Sequence, residues 1–485
     1  MNTTEAGQVA AVVIMAAGAG TRMKSARPKV LHTIAGRSMI AHAVRAAEAL
    51  DPQRLVVVVG HEREQVEAHL ADVAPSAIIA VQEQMLGTGD AVRAGLAVLP
   101  EISGVIVVTT GDAPLLEGQT IVDLVAVHVA RGNAATVLTA VVPDPTGYGH
   151  VVRDGDGDQI ACIVEHRDAN EAERQIAEIN AGVYAFDGDR LRDGIARLRD
   201  ENTQGEFYLP DVVALIRAAG GRVGAHEIAD YQQTEGVNDR VQLAERAAEM
   251  NRRILRGWML NGVTIIDPAT TWIHASVDLA EDVTLLPGTS LEGATSIARG
   301  AVIGPDTTLV DVEVGENATV VRSQATLVEI GPGATVGPFS YLRPGTRLAA
   351  SSKVGAFVET KNAQIGEGTK VPHLTYCGDA VLGAGVNIGA GTIFANYDGE
   401  HKFVSHVGDH SFVGSDSVLV APVTIGDNAF IAAGSVITHD VAEGELAVAR
   451  GRQRDIPGWV ERRHGVATPA AESAESGDSR QEEAK

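Results

Sequence analysis

The sequence predicts an α/β protein in two unlike halves: a mostly parallel sheet domain and a rod of stacked β-coils, joined by a helix. Three observations predict this. Residues 9 to about 230 alternate apolar strand-like runs with helical stretches, the pattern of parallel strands joined by crossover helices. Residues 263 to about 441 carry aliphatic side chains six apart. Between these stretches, residues 239–260 follow roughly helical spacing.

In the first half, strands are expected at Ala11–Ala16, Leu55–Val59, Ala77–Val81, Val105–Thr109 and Thr136–Val142. Helices are expected between them, including Met39–Ala49 and Gln65–Ala71. Ligands of such sheets bind beyond the carboxyl ends of the strands. In the linking helix, Val241, Ala244, Ala248, Leu255 and Met259 form the expected apolar stripe, interrupted by Arg252. Its length of about 20 residues corresponds to about 30 Å.

In the second half, Leu285, Leu291, Ile297, Ile303 and Leu309 keep one six-residue phase. Ile330, Val336, Leu342, Leu348 and Val354 keep it again, as do Val407, Val413, Leu419, Ile425, Ile431 and Ile437. A period of six matches neither the 3.6 of a helix nor the 2.0 of a lone strand. It fits a solenoid whose flat β faces bury their apolar residues against the neighbouring coils. A triangular section with three hexads per coil is expected. The expected domains are therefore residues 1–238, the helix 239–260 and a β-helix over 261–460. Residues 461–485 are expected to form a disordered acidic tail, since no large aliphatic side chain follows Val466.

A chain of 485 residues exceeds one core, so more than one domain is expected. No apolar run reaches about 18 residues, so no membrane span is expected. The start, Met1-Asn2-Thr3-Thr4-Glu5, lacks a basic leader region, and Ala10–Ala17 reads as a buried strand instead. Cys162 and Cys377 lie far apart in unrelated segments, which points to a reducing, cytoplasmic compartment. A net charge of −24 argues against nucleic acid as a partner. It is compatible with phosphate ligands held by a few local cations, and otherwise serves solubility.

The first chemistry-bearing segment is Ala16-Ala17-Gly18-Ala19-Gly20-Thr21-Arg22-Met23, directly after the first strand. Glycines let backbone approach a phosphate, and loop N–H groups can hold it. A tight turn is the plain alternative, but Arg22 and Lys29 add two cations. Gly111-Asp112-Ala113-Pro114 follows the apolar run Val105–Val108. An Asp just past a buried strand is placed to hold Mg²⁺, a hard ion that takes carboxylate and phosphate oxygens. A turn-forming Asp before Pro is the alternative there.

Together Ala16–Met23, Lys29, Gln82, Gly87-Thr88, Asp112, Tyr148-Gly149, Glu165, Asn180-Ala181-Gly182 and Gly236-Val237-Asn238 resemble the sugar-1-phosphate nucleotidyltransferases. The resemblance covers essentially the whole first domain. Glu165–Ala169 and Glu178–Val183 look like the N-acetylglucosamine-1-phosphate uridyltransferase branch. The resemblance implies a Rossmann-like nucleotidyltransferase domain acting on UTP. It implies that Met15, Ala16, Ala17, Gly18, Lys29, Gln82, Gly87 and Thr88 hold the uridine nucleotide, with Arg22, Thr110 and Gly111 beside them. Gly149, Glu165 and Asn180 would hold the sugar, and Asp112 and Asn238 would ligate Mg²⁺. Three positions depart from the family pattern: Ala19 where many relatives carry Lys, Asp90 for a frequent His, and Asp239 for a common Asn. The missing lysine shifts phosphate binding to Arg22 and Lys29. A sugar phosphate is ionised at neutral pH, so its oxygen can attack the α-phosphorus without a general base. Charge neutralisation and in-line positioning then remain as the protein's tasks.

In the second half the interruptions of the repeat carry the polar residues. Arg343 stands in Leu342-Arg343-Pro344-Gly345, where the repeat favours a small residue. Val354 and Ile365 are eleven apart instead of twelve, with Glu359 and Lys361 in the slip. His373 lies beside a hexad position, and Phe394 and Val407 are thirteen apart around Asn396–Lys402. Each residue alone reads as a surface charge, a packing ring or a turn residue. Gathered at faults in a regular repeat, they suggest a site.

The hexads are similar to those of hexapeptide-repeat acyltransferases, which implies a left-handed parallel β-helix. The period itself carries no hand. The segments starting at Leu342, Val358, His373, Asn387, Asn396 and Val413 resemble the glucosamine-1-phosphate acetyltransferase domain. With the first half, residues 9–460 resemble a bifunctional acetyltransferase–uridyltransferase family. The resemblance implies His373 as catalytic base and Glu359 as its orienting group. It implies Arg343, Lys361, Tyr376, Asn387 and Lys402 for glucosamine 1-phosphate. It implies Ala390, Asn396, Tyr397, Ser415, Ala433 and Arg450 for acetyl-coenzyme A, with Ser415 near the developing oxyanion. An imidazole, whose ordinary pKa is about 6.5, can take a proton from the attacking amine. A homotrimer sharing its acetyl sites between subunits is also implied. Two alternatives stay open: a nucleotidyltransferase whose β-helix only regulates or oligomerises, and a non-catalytic assembly subunit.

Overall fold

The computed structural model describes residues 9–60, 63–99, 103–155 and 157–465. The start of the chain and the tail from residue 466, on which two expectations fall, lie outside the described residues. Among the described residues no helix is long and apolar enough to cross a membrane.

Five apolar runs form strands close to the expected places: Val9–Met15, Leu55–Val59, Ile78–Val81, Val105–Thr110 and Ala135–Val141. Their side chains are mostly buried, least so in the edge strand Ile78–Val81, because helices cover both faces of the sheet, as parallel strands require. Val105–Thr110, Val9–Met15, Leu55–Val59 and Ile78–Val81 lie side by side and parallel. The sheet is mixed, however. Glu178–Asp187 inserts antiparallel between Val105–Thr110 and Ala135–Val141. That strand was read only as a motif, because its alternation is broken by Asn180-Ala181-Gly182. The parallel register sets Met15 beside Thr110 at the carboxyl edge of the sheet.

The linking helix runs Arg240–Leu260, and the Asp239 side chain accepts from the N–H groups of Val241 and Gln242. Asp239 is thus an N-cap, a role that the Asn common at this position would fill equally well. The expected stripe is out of phase. Val241, Ala244, Ala248 and Met259 are exposed, and only Leu255 of that set is buried. The packed side is Leu243, Ala247, Met250, Ile254 and Trp258, equally periodic and held against the two domains. Asn251 docks the helix on the first coil, donating to the Thr271 carbonyl (2.8 Å) and accepting from Ile273 N–H (3.1 Å). Polar docking of this kind leaves no trace in hydrophobic spacing.

From Val263 onward the hexad aliphatics stack into one continuous core. Register partners 18 apart, such as Leu285 with Ile303, Val336 with Val354 and Val413 with Ile431, make three hexads one coil. All these ladders are parallel. Each coil turns its corners through residues of positive φ, among them Phe357, Leu374, Gly391, Asp416 and Gly434 along one edge. Such a conformation costs a bulky L-residue about 1–2 kcal/mol, so the corner geometry, and not residue preference, imposes it at Phe357 and Leu374. A tail starting at residue 461 was expected to be disordered. Instead residues 461–464 belong to an exposed helix, Trp459–His464.

Candidate active sites

The first site lies at the carboxyl edge of the sheet. A cleft of about 270 Å³ is lined by Met15, Ala17, Gly18, Gln82, Gly87, Thr88, Thr110 and Asp112, with Met85, Ala91 and Glu206. Gly20, at φ 59°, packs its Cα directly on the stem of Lys29, where a Cβ would come within 2.6 Å. That contact aims Lys29 inward. Its Nζ donates to Asp112 Oδ2 (2.5 Å) and Asn238 Oδ1 (3.0 Å). The carbonyl of Asp112 accepts from Val237 N–H (2.9 Å), tying the loop of Asn238 to the strand end. Two hard oxygens therefore converge on one cation. Among the described residues no group of three or more His, Cys, Asp or Glu could hold a metal. A divalent ion at Asp112 and Asn238 would complete its shell with substrate oxygens or water, as small hard cations do. Arg22 is exposed, outside the cleft lining.

The three residues expected to hold the sugar meet next door. A Cβ on Gly149 would lie 3.3 Å from Glu165 Oε1 and 3.6 Å from Asn180 Cβ, so the three share one small space. Asn180 Nδ2 donates to the Tyr184 hydroxyl (2.7 Å), and Asn180 N–H to the Gly149 carbonyl (2.8 Å). Gly182 abuts Thr110, joining this space to the cleft. Burial pushes the Glu165 carboxyl above its usual range, and Asp211, Asp168 and Glu206 add to it.

In the β-helix two faults of the repeat, within residues 354–365 and 394–407, fall on one corner. Register pairs Leu342 with Thr360 and Leu348 with Ile365, so the later coil is one residue shorter there. Two coils on, Leu382 pairs with Val407, 25 residues away, and the excursion Asn396–Val404 leaves at that same corner. Asp379, left-handed at φ 47°, turns the coil between them. Its carboxylate accepts from Asn362 Nδ2 on the preceding coil (2.9 Å) and from Asn396 Nδ2 on the following one (2.5 Å). Lys361 Nζ stands 3.6 Å away. Burial alone would raise the Asp379 carboxyl, but these partners outweigh it and hold it below the usual carboxylate range.

Lys402, returning along the excursion, lies against Lys361 and is held below the usual amine range by it. Tyr376 folds its hydroxyl over the space that a side chain at Gly378 would fill. Arg343 pairs with Glu359 (2.8 Å). Glu359 was expected to orient His373 and does not do so. Among the described residues no side chain hydrogen-bonds the His373 ring.

His373 heads a second column, at the adjacent corner. It directly precedes the corner residue Leu374, as Ala390, Ser415 and Ala433 precede Gly391, Asp416 and Gly434 on the following coils. The four are thus stacked equivalents. Gly389 and Gly414 leave no room for side chains, since a Cβ on either would come within 2.4 Å of the next coil. A Cβ on Gly434 would lie 4.0 Å from Arg450 Cδ, which places Arg450 beside this column. Asn387 is not with the other sugar-phosphate candidates. It pairs with Lys370 and Phe412 on the eleven-stranded sheet, whereas Lys361 and Tyr376 pair on the fifteen-stranded one. Tyr397 is exposed on the excursion, bridged to Lys402.

Family models agree with this division. Residues 12–179 match the MobA-like NTP transferase domain, and residues 405–439 the bacterial transferase hexapeptide (six repeats). "Bifunctional protein GlmU" of Streptomyces coelicolor is 54% identical over 468 residues, 96% of this chain and 97% of that one. The protein of the same name from Mycolicibacterium vanbaalenii is 54% identical over 459 residues, 94% of this chain and 93% of that one. The chain belongs to the GlmU family. As a GlmU-family enzyme it joins a nucleotidyltransferase domain to a hexapeptide-repeat transferase domain. Two residues of this GlmU chain escaped sequence reasoning. Asp379 carries no signal, because Gly378-Asp379-Ala380 reads as an ordinary turn. Asp90 was noted only as a departure, yet it holds Gln82.

Proposed function

We propose that this chain acetylates glucosamine 1-phosphate from acetyl-coenzyme A in its β-helix and then uridylylates the product with UTP in its sheet domain. UDP-N-acetylglucosamine and pyrophosphate would be the final products. The observation that carries the reading is the pair of separate constellations. One is Lys29–Asp112–Asn238 beside the strand-end cleft, and the other is spread over two adjacent corners of the coils, Lys361 with Lys402 at one and His373 at the next.

For uridylyl transfer, Asp112 and Asn238 would hold Mg²⁺. When bound, that ion would neutralise phosphate oxygens as charge moves to the leaving pyrophosphate. Lys29 would leave those two oxygens and turn to the phosphates. The sugar phosphate oxygen attacks the α-phosphorus, the α–β bridging bond breaks, and pyrophosphate departs. Gly149, Glu165 and Asn180 would hold the sugar. For acetyl transfer, two adjacent ammonium groups, Lys361 and Lys402, favour an anion between them. Arg343 and Tyr376 would complete that phosphate and sugar contact. His373 takes the amine proton as the nitrogen attacks the thioester carbonyl, and the thiolate of coenzyme A leaves. The small side chains of the column Ala390–Ser415–Ala433 would let the carrier lie along the coils.

The phosphate corner and the His373 corner end the same face, about five residues or roughly 16 Å apart along a strand. Asn387 lies beyond the second corner. This split supports a site completed by another copy of the chain, and we read the assembly as a homotrimer. Exposed aromatic stacks on the rod, Phe339 on Phe357 (5.3 Å) and Phe412 on Phe430 (4.5 Å), are surfaces that such a partner would bury. Two unpaired cysteines and these substrates suit a cytoplasmic setting. Light scattering tests the assembly: a concentration-independent monomer with full acetyl transfer would contradict it.

A further inference from the structure

Gln82 is 4% exposed, and its amide orientation is decided by its neighbours. Nε2 donates to the Gly87 carbonyl (3.1 Å) and to Asp90 Oδ2 (3.0 Å). Both partners can only accept, the second as a carboxylate. The NH₂ group therefore spends both hydrogens inside the protein, and the reverse orientation would set oxygen against oxygen. Oε1 meets no donor among the described residues, and Gln82 lines the cleft.

Asp90 is itself clamped. Its Oδ1 accepts from Arg93 Nη1 (3.0 Å), and the Arg93 guanidinium lies over the Phe207 ring, 4.5 Å from its centre. Phe207 is in turn stitched to the cleft loop: its carbonyl accepts from Gly89 N–H (2.7 Å), and its N–H donates to the Leu86 carbonyl (2.7 Å). Neither carboxylate oxygen is free to release Gln82.

We propose that Asp90 is a specificity-determining positioning residue: it holds Gln82 with its carbonyl oxygen facing the base, and so selects uracil over cytosine. The inference rests on the uridylyl-transfer reading. Uracil carries one N–H on the edge it presents, at N3, between two carbonyl oxygens. A lone acceptor at Gln82 matches that N–H. Cytosine offers a lone pair at the same ring position, which Oε1 repels.

The test is the initial rate of pyrophosphate release by the full chain with UTP or CTP, N-acetylglucosamine 1-phosphate and Mg²⁺. Asp90→Asn keeps the volume and an oxygen for Arg93, but can donate to a turned Gln82 amide, leaving the Gly87 carbonyl as the one acceptor of the pair that opposes the turn. The UTP:CTP ratio of kcat/KM is expected to fall about tenfold, the effect of one hydrogen-bond exchange of about 1.4 kcal/mol. The fall should come from a rise in the CTP value, which a merely structural lesion would not produce. If Asp90→Asn fails to fold, Asp90→Ser, whose hydroxyl donates or accepts, serves the same comparison. A ratio within about twofold of wild type, in a folded variant of a wild type that discriminates, would overturn the role of Asp90 alone. A wild type that uses CTP as well as UTP would overturn the uridine reading with it.

Discussion

The two halves of this chain assemble their candidate sites by opposite routes. In the sheet domain, residues as distant in sequence as Lys29, Asp112 and Asn238 meet because parallel strands end at one edge. In the β-helix, Asn362, Asp379 and Asn396 meet because they occupy one corner of consecutive coils, 17 residues apart. The sheet gathers long-range loops into a cleft with shape. The coil gathers near-repeats into a ladder with an open surface, which on the proposed reading a second copy completes. A sheet-type site should therefore be complete in one chain, whereas a coil-type site should depend on assembly.

The largest expected effect separates the halves outright. His373→Ala should lower acetyl transfer about 10²–10⁴-fold, the usual contribution of a positioned base, and leave uridylyl transfer from N-acetylglucosamine 1-phosphate unchanged. Asp112→Ala should do the reverse, lowering pyrophosphate release about 10²–10³-fold through lost charge stabilisation, with acetyl transfer intact. Coupled rate assays on the same preparations check both.

Asp379→Leu sharpens the contrast further. It leaves the buried Asn396 without an acceptor, while the exposed Asn362 turns to water, and should cost about 2 kcal/mol of stability, read by denaturant unfolding. Its acetyl-transfer KM for glucosamine 1-phosphate should rise, because Asn396 and Lys361 lose their anchor, while the sheet domain's KM values stay put.

The smallest effect concerns Glu165. Its carboxyl is held up by burial first and by neighbouring acids second. The folded state thus binds that proton more tightly than the unfolded one. The resulting loss of stability is absent below the ordinary glutamate pKa, grows as pH rises through the folded value, and then stays constant. Glu165→Gln should therefore raise Tm at pH 7, and the gain should vanish as the pH falls below about 4.

How much of this was legible in the sequence also differs between the halves. The hexads state their own packing: from Leu285 to Ile437 the six-spaced aliphatics are buried. The faults within residues 354–365 and 394–407 were equally plain, but not that these two share a corner, because coil register depends on every residue between them. In the sheet domain the parallel strands were readable as apolar runs. The antiparallel Glu178–Asp187 was not, since Asn180-Ala181-Gly182 interrupts its apolar pattern. The linking helix was found in place but turned, because two periodic stripes compete on it and polar contacts such as Asn251 to Thr271 decide between them. Arg22 and Asn387 show the same limit at the sites: motif membership does not say which residues one chain brings together.

The central claim is that one polypeptide carries two independent sites whose reactions run in a fixed order. The most direct test follows coenzyme A release and pyrophosphate release together in purified wild-type protein. Glucosamine 1-phosphate, acetyl-coenzyme A, UTP and Mg²⁺ are supplied, and each is omitted in turn. Thiol release is expected without UTP or Mg²⁺, and pyrophosphate release only when acetyl-coenzyme A is present or the sugar is already acetylated. Pyrophosphate released from glucosamine 1-phosphate without acetyl-coenzyme A, or no thiol release under any condition, would contradict the account.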